Sequence, residues 1–132
     1  MNKNTILLLL SLFVFSISAC GDYAVRLPGG YSLVRVYSGA VLISDPQHLV
    51  VVNANVNSYK VIDGLVVGHV STEEYFSPEE KKVCKPGYFI LNTKTHETKQ
   101  GLEKKAWLDS LKALGVNDEP RLTKPSRFDK NY

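Results

Sequence analysis

The chain has 132 residues, with 16 Lys and Arg against 13 Asp and Glu, a formal net charge of +3. So even a balance argues against a nucleic-acid binder, and the length provides for one domain with a modest core but not for two.

Lys3 supplies one positive charge near the start, and Ile6 to Ala19 is an unbroken run of apolar and small residues. A short basic region followed by an apolar stretch is the order of a secretory leader. The run falls short of the roughly 20 residues that span a bilayer as a helix, and no basic cluster follows it, which argues against a permanent transmembrane anchor. It closes on Ile17-Ser18-Ala19-Cys20. This resembles the bacterial lipobox: an aliphatic residue, two small residues and the cysteine read by lipoprotein signal peptidase.

The resemblance implies that residues 1–19 are a lipoprotein signal peptide and that Cys20 opens the mature chain. It also implies a diacylglycerol thioether on the Cys20 thiol and an acyl group such as palmitate on its amine. A thiolate is the side-chain nucleophile suited to such an alkyl transfer. One acyl chain holds a protein only marginally, whereas three anchor it firmly to the lipid bilayer. The other reading is an ordinary secretory peptide cut after Ser18 or Ala19, with Cys20 left as a plain thiol. In Gram-negative lipoproteins an aspartate directly after the cysteine favours inner-membrane retention. Here Gly21 holds that position and Asp22 comes next, so the resemblance implies the periplasmic face of the outer membrane in such a host.

Residues 20–30 read as a lipidated tether ending in the turn pair Gly29-Gly30, and residues 31–116 as the folded domain. YSLVRVYS, 31–38, alternates and is rich in β-branched and aromatic residues, the pattern of a strand; Tyr31, Leu33 and Arg35 share one face, Val34 and Val36 the other. AVLIS, 40–44, is its hairpin partner or its continuation after a bulge, and Asp45-Pro46 makes a turn. LVVVNANV, 49–56, begins with four apolar residues, the pattern of a strand covered on both sides. In SYKVIDGLVVGHVS, 58–71, Asp63-Gly64 between two β-rich runs predicts a tight hairpin closed by Ile62 and Leu65. Gly68 marks a bulge or a close approach of another backbone.

TEEYFSPEEKKVCKP, 72–86, is charged and aperiodic, with Ser77-Pro78-Glu79-Glu80 fitting a single helical turn. It is long for a plain connection, and such loops are often functional. GYFILNTKTHETKQ, 87–100, reads as a second hairpin. GLEKKAWLDSLKALG, 101–115, is amphipathic: Trp107, Leu108, Leu111 and Leu114 form one stripe, with Lys105, Asp109 and Lys112 opposite, and Gly115 ends it. Hairpin then helix is similar to endings in small bacterial proteins and carries no site residues. Residues 117–132 form an extended or disordered tail that only Leu122 and Phe128 are able to pin. The expected fold is α+β, a mostly antiparallel sheet of five to seven strands with one C-terminal amphipathic helix.

No signature of catalysis emerges. There is no Gly-x-Ser-x-Gly, and His48, His69 and His96 lie in separate elements. Closely spaced zinc-ligand pairs are absent, Gly29-Gly30 leads into a strand rather than a phosphate-cradling helix, and the acids Glu73, Glu74, Glu79 and Glu80 read as a solvated run. No cofactor or metal is expected. Once Cys20 is lipidated, Cys84 has no intramolecular partner: it is a buried thiol, an intermolecular disulfide or, least simply, a nucleophile activated by Lys81, Lys82 and Lys85.

Six tyrosines, Tyr23, Tyr31, Tyr37, Tyr59, Tyr75 and Tyr88, read as surface contact material, and Tyr75-Phe76 in the long loop is the candidate partner-binding element. Two aromatics pinning that loop to the core is the plainer alternative. The expected function is a non-enzymatic envelope lipoprotein that binds another protein, of immunity, inhibitor or accessory type. A small-molecule or glycan binder is the alternative.

Overall fold

The computed structural model describes residues 22–36, 39–71 and 85–130. Among them run β1 (Tyr23–Arg26), β2 (Ser32–Arg35), β3 (Val41–Ser44), β4 (Val50–Val52), β5 (Val56–Ile62), β6 (Leu65–Val70), β7 (Gly87–Asn92), β8 (Glu97–Leu102) and the helix α1 (Lys104–Ala113). The strands form two antiparallel sheets, β1-β2-β3-β4 and β5-β6-β7-β8. The fold is α+β, as expected, but with eight strands in two sheets rather than five to seven in one.

Two local features account for the difference. The added strand, Tyr23–Arg26, lies inside the stretch read as a tether and pairs with β2 from Tyr23↔Arg35 to Arg26↔Ser32. The run 49–56 is not one strand: β4 stops at Val52, and the chain crosses to the second sheet before Val56. At the crossing, side chains replace ladder bonds: Asn53 Oδ1 accepts from the Ala54 amide at 2.8 Å and Asn55 Oδ1 from the Val41 amide at 2.9 Å. Short polar side chains compete with sheet pairing in this way, which ends β4. β4 is an edge strand, not one covered on both sides, and Val50 is 52% exposed.

The main core lies between the sheets. Val25, Leu33, Ile43 and Val52 stand opposite one another across the first sheet and meet Val66, Phe89 and Leu91 of the second. Gly68 pairs with Phe89, and the space above it belongs to the Phe89 ring and the Ser58 carbonyl, the close approach expected there. A second core lies on the other face of β6 and β7, where Leu65, Val67 and Ile90 meet Trp107 and Leu111 of α1. Trp107 is fully buried and donates from Nε1 to the Phe89 carbonyl at 3.1 Å.

The expected hairpins form. Asp63 and Gly64 both have positive φ, as a two-residue turn between twisted strands requires. α1 begins later than expected because Leu102 still pairs with Tyr88 in β8. It ends as expected: Gly115 adopts φ 89°, its amide donates to the Lys112 carbonyl at 3.0 Å, and Val116 donates to Leu111 at 2.9 Å, a Schellman closure. Beyond it the tail runs extended. Leu122 packs on the helix-side core, and Thr123 exchanges two backbone hydrogen bonds with Tyr59 of β5, at 2.9 and 3.1 Å. Phe128 is 89% exposed and pins nothing; instead the Tyr59 hydroxyl donates to Asp129 Oδ2 at 2.6 Å. No helix among the described residues is long and apolar enough to cross a membrane.

Candidate interaction face

The two sheets differ in how their faces are covered. A sheet with one buried face normally alternates, apolar inward and polar outward. The second sheet has both faces buried, one on the main core and one under α1. The first sheet has its inner face buried, yet its outer face is crossed by an apolar row as well: Ala24, Val34 and Leu42 stand opposite one another on β1, β2 and β3. Ala24 is exposed, Val34 and Leu42 are partly so, and neither of the last two belongs to a core cluster.

The neighbouring turn extends this surface. Asp45 Oδ1 accepts from the amides of Gln47 and Leu49, both at 2.9 Å. The Asp45 amide donates to the Leu49 carbonyl at 2.8 Å, and His48, at φ 67°, donates to the Asp45 carbonyl at 2.9 Å. This closed turn holds Leu49 outward, 65% exposed, with Val50 beside it and opposite Ser44. Four hydrogen bonds within Asp45–Leu49 fix the backbone from which Leu49 is displayed, and β4 fixes that of Val50, so little ordering entropy is left to lose on contact.

At the same end of the molecule lies a depression of about 530 Å³ formed by Arg26, Leu27, the Pro28–Gly30 turn, Tyr31, Ser32 and Pro46. The Tyr31 hydroxyl is 2.7 Å from His96 Nδ1, which ties this end to the β7–β8 turn. Burial pushes the Tyr31 hydroxyl above its usual range, with the Asp45 carboxylate adding to the shift. At the opposite end, His69 Nδ1 is 3.2 Å from Asn57 Oδ1, and its ring meets Tyr88 edge-on, which in turn stacks on Trp107. His69 thus has the partners that an imidazole in an apolar strand requires.

The residues singled out from the sequence fall differently. Cys20, Tyr75, Phe76 and Cys84 lie outside the described residues. Of the tyrosines read as surface material, Tyr31 and Tyr59 are buried, 3% and 5% exposed, because each hydroxyl has an internal partner. No group of three metal-binding side chains lies together among the described residues. No family model matches this chain, and neither does any curated protein or solved structure at a significant level. The outer row of the first sheet has a local signal in the sequence: on β2, Leu33 serves one face while Val34 and Val36 serve the other.

Proposed function

We propose that this chain is a non-enzymatic, lipid-anchored envelope protein that binds another protein through the outer face of its first sheet. The observation that carries the reading is the apolar row Ala24, Val34 and Leu42, continued by the exposed Leu49 and Val50. Four strands spaced about 4.8 Å apart make a face about 14 Å wide. That accommodates one helix of about 10 Å diameter, the arrangement α1 already has on the second sheet. The partner therefore presents an amphipathic helix or a comparably narrow apolar ridge, and further contacts extend the interface toward the roughly 800 Å² per side of a stable complex. An immunity, inhibitor or accessory role fits such a module, tethered through acylated Cys20 on the periplasmic face of the outer membrane in a Gram-negative host.

The test places a photo-crosslinking amino acid at Leu42 in cells, with Lys105 on the exposed side of α1 as the control position. A single partner captured from Leu42 and not from Lys105, and lost on Val34→Lys, supports the reading; equal capture from both positions overturns it. A glycan or small-molecule binder is the second reading, favoured by the depression of about 530 Å³, a size within the range of ligand sites. Ligand-dependent shifts confined to Arg26–Ser32 and Pro46 would establish it. The anchor has its own test: Cys20→Ser leaves an uncleaved precursor that takes up no labelled palmitate, and normal processing would refute it.

A further inference from the structure

The strands of both sheets run between two ends, and the lipid attachment fixes which end meets the membrane. β1 starts at Tyr23, three residues after Cys20, and three residues extend at most about 11 Å. An acylated Cys20 therefore holds the Tyr23 end of the sandwich within roughly one headgroup layer of the bilayer, while the Asp45–Leu49 turn and the 530 Å³ depression stand at the far end.

The Tyr23 end carries the chemistry of a bilayer surface. Tyr23 stands opposite Arg35, whose guanidinium carbon lies 5.9 Å from the Tyr23 ring centroid. Together with Gly39, Asn55, Asn57 and Lys124 they line a depression of about 280 Å³. Arg127 is close enough to act electrostatically on the Tyr23 hydroxyl, as is Asp129. The Asp129 carboxylate is already engaged, accepting from the Tyr59 hydroxyl at 2.6 Å and the Ser126 amide at 2.9 Å. Among the described residues Asp22 is exposed beside Tyr23 and Glu103 follows Leu102 at this end of the second sheet, while Glu119 is paired with Lys104 at 2.8 Å. Arg35, Lys124 and Arg127 form no ion pair with a described residue.

We infer that this end is a membrane-docking face: Arg35, Lys124 and Arg127 engage the anionic phospholipid headgroups of the bilayer that holds Cys20, and Tyr23 sits at headgroup level. The inference rests on the lipid-anchor reading. Tyrosine favours the interface because its ring is apolar and its hydroxyl wet, and long cationic side chains lay their stems on apolar surface while the charge reaches phosphate. Docking this way turns the strands away from the membrane. The outer face of the first sheet and the Leu49 turn are then presented to the aqueous side.

The test uses the full acylated protein reconstituted into vesicles of phosphatidylcholine alone or mixed with phosphatidylglycerol, footprinted with a water-soluble lysine-acetylating reagent. Mass analysis of the N-terminal peptide first establishes the acyl groups; a chain without them overturns the anchor reading and the inference with it. With acylation established, Lys124 is expected to be modified about fivefold more slowly on the anionic vesicles, the effect of one cation at such a surface. Lys94, in the far-end turn, and Lys112, exposed in the last turn of α1 beside that turn, keep their rates. High salt and the double variant Arg35→Gln/Arg127→Gln are each expected to restore Lys124 labelling. Equal Lys124 labelling on both vesicle types, or protection that survives in the variant, overturns docking while leaving the anchor intact.

Discussion

Replacing Gly68 by alanine tests how tightly β6 is fitted against the β5 backbone and the Phe89 ring within the second sheet. A Cβ at this position would lie 2.3 Å from the Ser58 carbonyl oxygen and 2.8 Å from two carbons of the Phe89 ring. Ordinary contacts between such atoms are about 3.5 Å, so the β5 backbone and a fully buried ring must each retreat by the better part of an ångström. Overfilling a packed core costs typically 1–3 kcal/mol. Displaced backbone places Gly68→Ala at the upper end, about 3 kcal/mol, from which the lower chain entropy of alanine removes about 0.5–1 kcal/mol. The expected net loss is about 2–2.5 kcal/mol, a large part of the 5–15 kcal/mol that holds a domain of this size. Urea unfolding of the full chain in detergent micelles, followed by the fluorescence of the single tryptophan, Trp107, measures it. A loss below about 0.5 kcal/mol would refute the reasoning, because it would mean that β5 and Phe89 yield freely.

Gly115→Ala isolates the other reason for a glycine: nothing lies within 4 Å of the added methyl, but φ is 89°, so a loss of about 1 kcal/mol is expected from the left-handed backbone alone, by the same urea titration. Trp107→Phe keeps an aromatic ring in the helix-side core but leaves the Phe89 carbonyl without its donor; about 2 kcal/mol should be lost in the same assay. Burial pushes the Tyr23 hydroxyl, as well as that of Tyr31, above the ordinary 10.0. The unfolded chain therefore ionises first, so stability holds up to about pH 9 and falls as the pH rises through 10 and beyond. Urea midpoints against pH check this, and Tyr23→Phe/Tyr31→Phe should flatten the fall. Tyr59→Phe removes the donor to Asp129, and amide exchange of Ser126 and Asp129 should speed up while that of β6 is unchanged.

What could be read from the sequence was local. Asp63-Gly64 carries its turn in its own backbone preference, and the Trp107–Leu111 stripe with Gly115 carries a helix and its stop. Four residues of β1 beside a glycine pair carry too little pattern to separate a strand from a tether. The division into two sheets turns on Asn53 and Asn55, whose side-chain bonds to Ala54 and to distant Val41 decide where a continuous apolar run is cut. Burial of Tyr31 and Tyr59 depends on His96 and Asp129, 65 and 70 residues away, which no local pattern encodes. For the candidate face, the clue lay in β2 being apolar on both sides. Its meaning depended on α1 covering the second sheet and not the first.

The pairing of Thr123 with Tyr59 has a consequence for how the molecule behaves among copies of itself. Among the described residues β5 is the longest strand, seven residues, and it stands at the margin of its sheet. An uncovered margin is a template for another chain to polymerise against. Thr123 occupies this margin at Tyr59, where its backbone takes up both hydrogen-bonding groups that another strand would use.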